Sequence, residues 1–182
     1  EGQGRGTFID GDGLATGEHG IIINGKSNCV VRNLAIQTED GGGKTCHCIY
    51  LDGFPNSFLI EGVTIVESDS HGIYFTAWCM PYRGSIHKCI IEGADAICIH
   101  SEGCLYQVSI EGNIIQGVGG TGIVMVTGGS ENCIINDNVT REAVSGGIHV
   151  GASFRITIAN NSIYDSYGAG ASGILLDGSA EY

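Results

Sequence analysis

The chain contains 182 residues, of which 42% are hydrophobic and only 15% are charged, and this composition excludes an intrinsically disordered polypeptide. Its 31 glycines accompany only 2 prolines, which excludes a collagen-like chain. The formal net charge of −12 would repel nucleic acid phosphates and anionic lipid surfaces, so neither nucleic acid nor a membrane is predicted as a partner.

A four-residue pattern recurs along the chain: a small residue, an isoleucine, any residue and a large apolar residue. It first appears at 20–23 as Gly-Ile-Ile-Ile and next at 48–51 as Cys-Ile-Tyr-Leu. The intervals stay near 25 residues, with a longer one across the glycines at 41–43. The isoleucines of the pattern are Ile21, Ile49, Ile73, Ile97, Ile123, Ile148 and Ile174.

A second pattern follows most copies of the first and places apolar or small residues at every other position, on both sides of a short bend. Alternation with a period of two predicts strands with one buried face. The bend is only two residues long, so the strands on either side belong to one continuous coil. The clearest copies are Phe58-x-Ile60-x-x-Val63-x-Ile65 and Val108-x-Ile110-x-x-Asn113-x-Ile115, and others begin at Cys29, Gly84, Cys133 and Ile156.

These patterns together predict an all-β parallel β-helix of about seven coils, with three short strands in each coil. A single coil cannot bury its apolar side, whereas stacked coils share one core. We expect residues 1–182 to form a single domain that is a fragment of a longer chain, because 179–182 stop where the next strand should begin. Flanking domains, or the subunits of a homo-oligomer such as a trimer, are expected to cap the solenoid.

The opening run at 6–11, Gly-Thr-Phe-Ile-Asp-Gly, is similar to a segment common near the start of known parallel β-helices. With the coil pattern, it makes the whole chain resemble the pectin-lyase-like superfamily of right-handed parallel β-helices, which includes pectate lyases, polygalacturonases and phage tailspikes. The resemblance implies a polysaccharide partner and a location outside the cell, or on a virion or cell surface. It does not imply one reaction, because the superfamily includes hydrolases, lyases, epimerases and inert fibres.

Two catalytic signatures of that superfamily are only partly present. Ser70-His71-Gly72, with Asp69 beside it, resembles a polygalacturonase motif, but the paired-acid segment and the downstream Arg-Ile-Lys are missing. Pectate lyases use an arginine base and calcium held by clustered aspartates, and no arginine here has such a cluster beside it in sequence. The prediction is therefore no cofactor and no metal site, and calcium is the one ion that the resemblance leaves open.

Several polar columns are interpreted as packing. Asn113, Asn138 and Asn161 align at the bend and predict a structural ladder. His19, His47 and His71 align two residues before the isoleucines, with Asp95 as the next member. These histidines could move protons or bind metal, but packing is favoured. Most cysteines are expected inside as small apolar residues, and Cys79 and Cys104 could approach closely enough for a disulfide.

The outward positions of the isoleucine strand are unusually apolar and aromatic, which is typical of a ligand or partner surface. One predicted column is Ile22, Tyr50, Tyr74, Cys98, Val124, His149 and Leu175, and the next is Asn24, Asp52, Thr76, His100, Val126, Gly151 and Asp177. We expect Tyr50, Tyr74 and His149 to bind substrate, the tyrosines by stacking on sugar rings. The candidate catalytic residues are Asp52, Asp69, His71 and His100, with Asp52 and Asp69 as the carboxylate pair.

Two functions follow from this surface. The first is an extracellular β-helix that binds or processes a polysaccharide, as a lyase or a glycoside hydrolase would. The second is a structural shaft of a tailspike, fibre or adhesin, in which the apolar column becomes a subunit interface. An open groove with converging polar groups would favour the first, and burial against another chain would favour the second.

Overall fold

The structure is a computed structural model that describes residues 7–38, 45–125 and 129–178. Gly6 of the opening run, the glycines at 41–43, Val126 and the end at 179–182 lie outside the described residues. Short strands are the only regular elements of the described residues, and all of their pairings are parallel. Among these residues no helix is long and apolar enough to cross a membrane.

The strands, numbered in chain order, form three parallel sheets that run the length of the molecule. Sheet 1 contains β1 (Phe8–Asp10), β4 (Ala35–Gln37), β7 (Thr64–Ile65), β10 (Ile90–Glu92), β13 (Ile114–Val118), β17 (Val139–Ala143) and β21 (Ser162–Tyr164). Sheet 2 contains β2 (Ile21–Asn24), β5 (Ile49–Asp52), β8 (Ile73–Phe75), β11 (Ile99–Ser101), β14 (Thr121–Met125), β18 (Gly146–Val150) and β22 (Ser172–Leu176). Sheet 3 contains β3 (Cys29–Arg32), β6 (Asn56–Glu61), β9 (Tyr82–His87), β12 (Tyr106–Glu111), β15 (Ser130–Glu131), β16 (Ile134–Asn136), β19 (Ser153–Phe154) and β20 (Thr157–Ala159).

Each coil visits sheet 1, sheet 2 and sheet 3 in turn, and the coils make about six turns. The predicted all-β parallel solenoid with three strands in each coil is therefore confirmed, and its extent is close to the seven coils expected. In the later coils a bend divides the sheet 3 segment into two short strands. Residues with positive φ, such as Asn132 and Arg155, mark that bend.

Isoleucine columns fill the interior, and several of their members are completely buried. Ile65, Ile91 and Ile115 stack in sheet 1 at positions that pair residue for residue. Removing most of one such side chain would cost about 2–5 kcal/mol, because the rigid coil cannot collapse into the cavity. Gly84 lies opposite Phe58 in sheet 3, where any side chain at residue 84 would collide with the aromatic ring.

The predicted register is wrong in the fourth coil. Ile99, and not Ile97, pairs with Ile73 and with Ile123. The shift of two residues keeps the alternation of inward and outward positions, so periodicity could not distinguish the two alignments. The outward column of sheet 2 is therefore Ile22, Tyr50, Tyr74, His100, Val124, His149 and Leu175.

The shift moves other predicted column members. Cys98 is completely buried rather than outward, and His100 takes its place beside Tyr74. Asp95 is not a member of the histidine column. The residue that follows His71 in that column is Ile97, whose N–H donates to Nδ1 of His71 and whose carbonyl accepts the N–H of Gly72. Cys98 now matches Cys48, since each precedes the first paired isoleucine of its strand.

Asparagines and cysteines take the places predicted for packing. The backbone N–H of Asn113 donates to Oδ1 of Asn138, and the N–H of Asn138 donates to Oδ1 of Asn161. All eight cysteines are thiols, so no disulfide joins Cys79 to Cys104. Burial raises the pKa of thiols such as Cys48, to about 11, which keeps them protonated and unreactive.

Candidate functional site

Three histidines form a ladder at the entrance to the sheet 2 strands. The backbone N–H of His47 donates to Nδ1 of His19 over 3.3 Å, and that of His71 donates to Nδ1 of His47 over 3.3 Å. The N–H of Ile97 continues the series with a bond of 3.2 Å to Nδ1 of His71. Because Nδ1 accepts a proton donor in each ring, the neutral imidazoles carry their own proton on Nε2.

The ladder is interleaved with the two tyrosines of the outward column. The ring of Tyr50 lies 4.0 Å from that of His19, and the ring of Tyr74 lies 4.4 Å from that of His47. Successive imidazoles are 4.8 and 5.1 Å apart. The imidazoles therefore cover faces of both tyrosine rings, which leaves mainly the ring edges and hydroxyls for a ligand. Face-to-face stacking of a sugar on Tyr50 or Tyr74, the contact expected from sequence, would have to displace a histidine.

His71 and His100 form a direct pair. Nε2 of His71 lies 3.2 Å from Nδ1 of His100, and the rings meet edge to face at 66°. Since Nδ1 of His71 already accepts the N–H of Ile97, its Nε2 is the donor and Nδ1 of His100 the acceptor. Neither ring then has a lone pair left to take a proton. The pair is better suited to donating a hydrogen bond from Nε2 of His100 than to general-base catalysis.

Burial keeps the whole array uncharged. It lowers the pKa of His47 to about 3 and that of His71 to about 4, and neighbouring imidazoles act in the same direction. The pKa values of His19 and His100 are also lowered by burial, although Glu102 opposes this effect at His100. At neutral pH the array is therefore a row of neutral donors and aromatic rings.

Carboxylates and hydroxyls line the carboxyl-terminal ends of the same strands. The hydroxyl of Thr76 donates to Oδ1 of Asp52 over 2.6 Å. Burial raises the pKa of Tyr74, and the neighbouring carboxylate of Glu102 acts in the same direction. Glu102 follows β11 and donates its N–H to the carbonyl of Phe75, which places it beside Thr76. We call Asp52, Thr76 and Glu102 the acidic row.

Exposed aromatic residues follow the acidic row in the turns that lead to sheet 3. Phe54 and Trp78 come two residues after Asp52 and Thr76, and they are 68% and 77% exposed. Tyr82, which is 43% exposed, begins the next strand. Trp78 therefore faces solvent. We call Phe54, Trp78 and Tyr82 the aromatic rim.

The remaining candidate residues do not join this cluster. Asp69 is buried in the turn before β8, whereas Asp52 is level with Thr76 after that strand, so the length of the strand separates the two carboxylates. A glycosidase pair instead faces one scissile bond from both sides. His149 lies in the correct column, but Val124 separates it from His100. Its Nε2 makes no hydrogen bond within the described part of the chain.

Glu102 and the aromatic rim are the functional candidates that sequence reasoning missed. Aligning the Cys-Ile dipeptide at 48–49 with the one at 98–99 would have given the correct register, and this register places Glu102 beside Thr76. Trp78 is the single tryptophan of the chain, a residue type that often binds ligands. The described residues include no group of three or more His, Cys, Asp or Glu side chains that could hold a metal ion.

Fold and surface define a parallel β-solenoid whose second sheet presents polar and aromatic side chains on its second, third and fourth strands. The family model described as a right-handed beta helix region matches residues 19–181, so the chain belongs to that family of β-helix proteins. This match agrees with the pectin-lyase-like superfamily expected from sequence. The comparison with curated proteins found no match, and neither did the comparison with solved structures.

Proposed function

We propose that this β-helix binds an extended, uncharged polysaccharide across the outer face of sheet 2 and the turns that follow it. One observation carries the proposal: on two neighbouring coils, a member of the acidic row is followed two residues later by an exposed aromatic residue, Phe54 or Trp78. Sugars offer hydroxyls to carboxylates and apolar ring faces to aromatic side chains, so this combination fits their chemistry.

Charge narrows the ligand class. Asp52 and Glu102 lie in the face itself, and the chain as a whole has a net charge of −12. A polyanionic glycan would be repelled, whereas a neutral one needs no counter-charge. The acidic row extends over three successive coils and the aromatic rim over two of them, and neighbouring coils are about 4.8 Å apart. A glycan that runs along the solenoid axis would therefore meet polar or aromatic groups on three successive coils.

The hydrogen bonds favour binding over turnover. The lone pairs of His71 and His100 that a general base would use are already engaged. A catalytic role stays a prediction for four residues: Asp52, Asp69, His71 and His100. Processing of the glycan, as distinct from binding it, is likewise a prediction. Incubation with neutral and acidic polysaccharides, followed by assays for reducing ends and unsaturated products, tests that prediction. Turnover that disappears in Asp52→Ala would contradict a purely binding role.

The binding proposal is tested by calorimetry against a panel of neutral and acidic polysaccharides. Trp78→Ala should weaken binding of a neutral glycan about fivefold, because one stacking contact contributes on the order of 1 kcal/mol. Tyr167→Ala is the matched control, since Tyr167 is 69% exposed but lies far along the chain from the acidic row. Equal affinities for Trp78→Ala, Tyr167→Ala and the unaltered protein, or tightest binding to an acidic glycan, would contradict the proposal.

A polysaccharide ligand also favours a location outside the cell or on a cell or virion surface. Most of the thiols could persist there because they are buried, and Cys98 is completely so. Secretion of the natural protein, followed by surface labelling, tests the location. Retention of the protein inside the cell would contradict it.

The second candidate, a structural shaft, is supported by a different observation. Ile22 and Leu175, towards the two ends of the outward column, are 57% and 43% exposed. Aliphatic side chains at these places would suit a neighbouring subunit, as in a trimer, or a flanking domain. Light scattering after size exclusion distinguishes the two candidates: a stable trimer that dissociates in Ile22→Asp favours the shaft.

A further inference from the structure

The histidine ladder has a consequence for the binding face beyond supporting its fold. His47 and His71 each accept the backbone N–H of the next coil, and they stack on Tyr50 and Tyr74. The strands that follow these histidines contribute Asp52 and Thr76, and they place Tyr74 near the carboxylate of Glu102. The position of the sugar-binding groups therefore depends on bonds made by neutral imidazoles.

Acid must break at least one of these bonds. A proton added to Nδ1 of His47 or His71 would point at the N–H that now donates to it, so a bond becomes a repulsive contact. A proton added to Nδ1 of His100 would meet the Nε2–H of His71 in the same way. Every protonated form of the array thus loses at least one of these hydrogen bonds.

The surroundings offer little to stabilise the protonated forms. His19, Tyr50 and Tyr74 face the imidazoles as neutral groups, and Glu102 is the carboxylate that acts on His100. The remaining titratable neighbours are Asp52, which acts on Tyr50, and Asp69, which lies buried two residues before His71. Burial lowers the pKa of His47 to about 3 and that of His71 to about 4, although the backbone of Ile97 acts in the opposite direction at His71.

We propose that the stack of His19, His47, His71 and His100 is an acid-sensitive latch that holds the glycan face together at neutral pH and releases it in acid. This inference rests on the proposed function only for its biological readout. The unfolded or opened chain binds protons near pH 6.5, whereas the closed stack resists them until about pH 4 or 3. The latch is therefore complete above pH 6.5 and loses strength progressively as the pH falls towards 4.

The asparagine ladder indicates a suitable replacement for the histidines. Asparagine Oδ1 already accepts backbone N–H groups between coils at Asn138, and it cannot be protonated in this pH range. The double variant His47→Asn/His71→Asn should therefore keep the bonds between coils without the sensitivity to acid. His87→Asn is the control, because His87 lies in sheet 3 beside Glu61, away from the stack.

Near-ultraviolet circular dichroism of the tyrosines, recorded from pH 7.5 to 3.5, measures release of the stack. We expect the midpoint of the double variant to lie about one pH unit below that of the unaltered protein. The His87→Asn midpoint should not move. Binding of a neutral glycan should follow the same order of midpoints. Identical midpoints for the double variant and the unaltered protein would overturn the latch.

A second measurement needs neither a variant nor a glycan. Long-range nitrogen–proton correlation spectra at pH 7.5 distinguish the two neutral tautomers of each imidazole. The latch requires the Nε2–H form at His19, His47 and His71, and an Nδ1–H form at His47 or His71 would overturn it. If no glycan binds at any pH, the proposed function fails, whereas the dichroism midpoint and the tautomers still decide whether the latch exists.

Discussion

The asparagine ladder of the later coils and the histidine ladder of the earlier coils solve one problem with different chemistry. Both let a side chain accept the backbone N–H of an adjacent coil, as Asn138 does for Asn113 and His47 does for His71. Asparagine also donates, since Nδ2 of Asn138 bonds to the carbonyl of Ile110. Histidine adds aromatic surface and a titratable nitrogen. The later ladder is therefore indifferent to pH, and the earlier one is not.

The ladders also differ in what surrounds them. Asn113 and Asn138 are almost completely buried at the bend between sheets 3 and 1. The histidines lie beside the outward column of sheet 2, where Tyr74 and His100 reach the acidic row. A ladder that cannot titrate thus lies in the core, and one that can titrate lies against the candidate binding face. This difference in place supports a functional role for the histidines.

The largest expected effect is the loss of stability in acid. A buried histidine whose folded pKa is depressed costs up to about 1.4 kcal/mol for each pH unit below 6.5, because the unfolded chain takes up the proton first. For His47 and His71 together, the free energy of unfolding should fall by at most about 5 kcal/mol between pH 6.5 and 4.5. Solvent screening at the partly exposed His71 keeps the loss below this bound.

Urea titrations at both pH values measure that loss. His47→Asn/His71→Asn should lose much less stability over the same interval, while Asn138→Asp would add a carboxylate to the other ladder and make it depend on pH. An equal acid loss in the unaltered protein and in the double histidine variant would show that carboxylates elsewhere cause it.

The next largest effect is expected in the asparagine ladder. Asn138→Ala removes the acceptor for the N–H of Asn113 and the donor to the carbonyl of Ile110, both of which are buried. Leaving these groups without partners should cost about 3 kcal/mol, equally at pH 7 and pH 5. Asn136→Ala is the control, because the Asn136 side chain bonds to the neighbouring Asp137 and, among the described residues, to no other coil, and it should cost less than about 0.5 kcal/mol. If the cost of Asn138→Ala differs between pH 7 and pH 5, the asparagine ladder also depends on pH.

Sequence patterns predicted the fold well because the repeat of apolar residues reports directly on burial. The bend pattern placed Val63, Cys89 and Asn113 in one column, and they align in the structure. The site was harder to predict because it depends on register. A shift of two residues at Ile99 preserves alternation, yet it moves His100 from the acidic row to the tyrosine column and puts Glu102 in the row.

Other features of the site depend on information that alternation does not contain. Which nitrogen of His71 accepts a bond depends on its rotamer and on the coil behind it, and the sequence specifies neither directly. The exposure of Trp78 depends on the path of the turn between β8 and β9. Strand periodicity does not extend into that turn, so the aromatic rim could not be placed from the pattern.

A smaller effect is expected from His71→Ala, which removes the acceptor for the N–H of Ile97 and the donor to His100. The cost should be about 2 kcal/mol at pH 7.5, because these groups are less deeply buried than those of the asparagine ladder. His71→Asn should recover most of it by accepting the same N–H. Thermal melts at pH 7.5 compare the two variants. Equal melting temperatures would show that the bond to Ile97 contributes nothing measurable.

The smallest effect is expected at the point where the histidine ladder meets the acidic row. Tyr74→Phe keeps the ring against His47 and His71 but removes the phenol near the carboxylate of Glu102. Stability should fall by about 1 kcal/mol, since the phenol is partly exposed and the ring packing remains. The neighbouring Tyr50→Phe is the matched control, because it makes the same substitution one coil earlier, beside His19.

If the glycan face depends on a correctly placed Glu102, Tyr74→Phe should weaken binding of a neutral glycan more than its effect on stability predicts, whereas Tyr50→Phe should not. Equal binding by both variants would show that the histidine ladder supports the fold without orienting the acidic row.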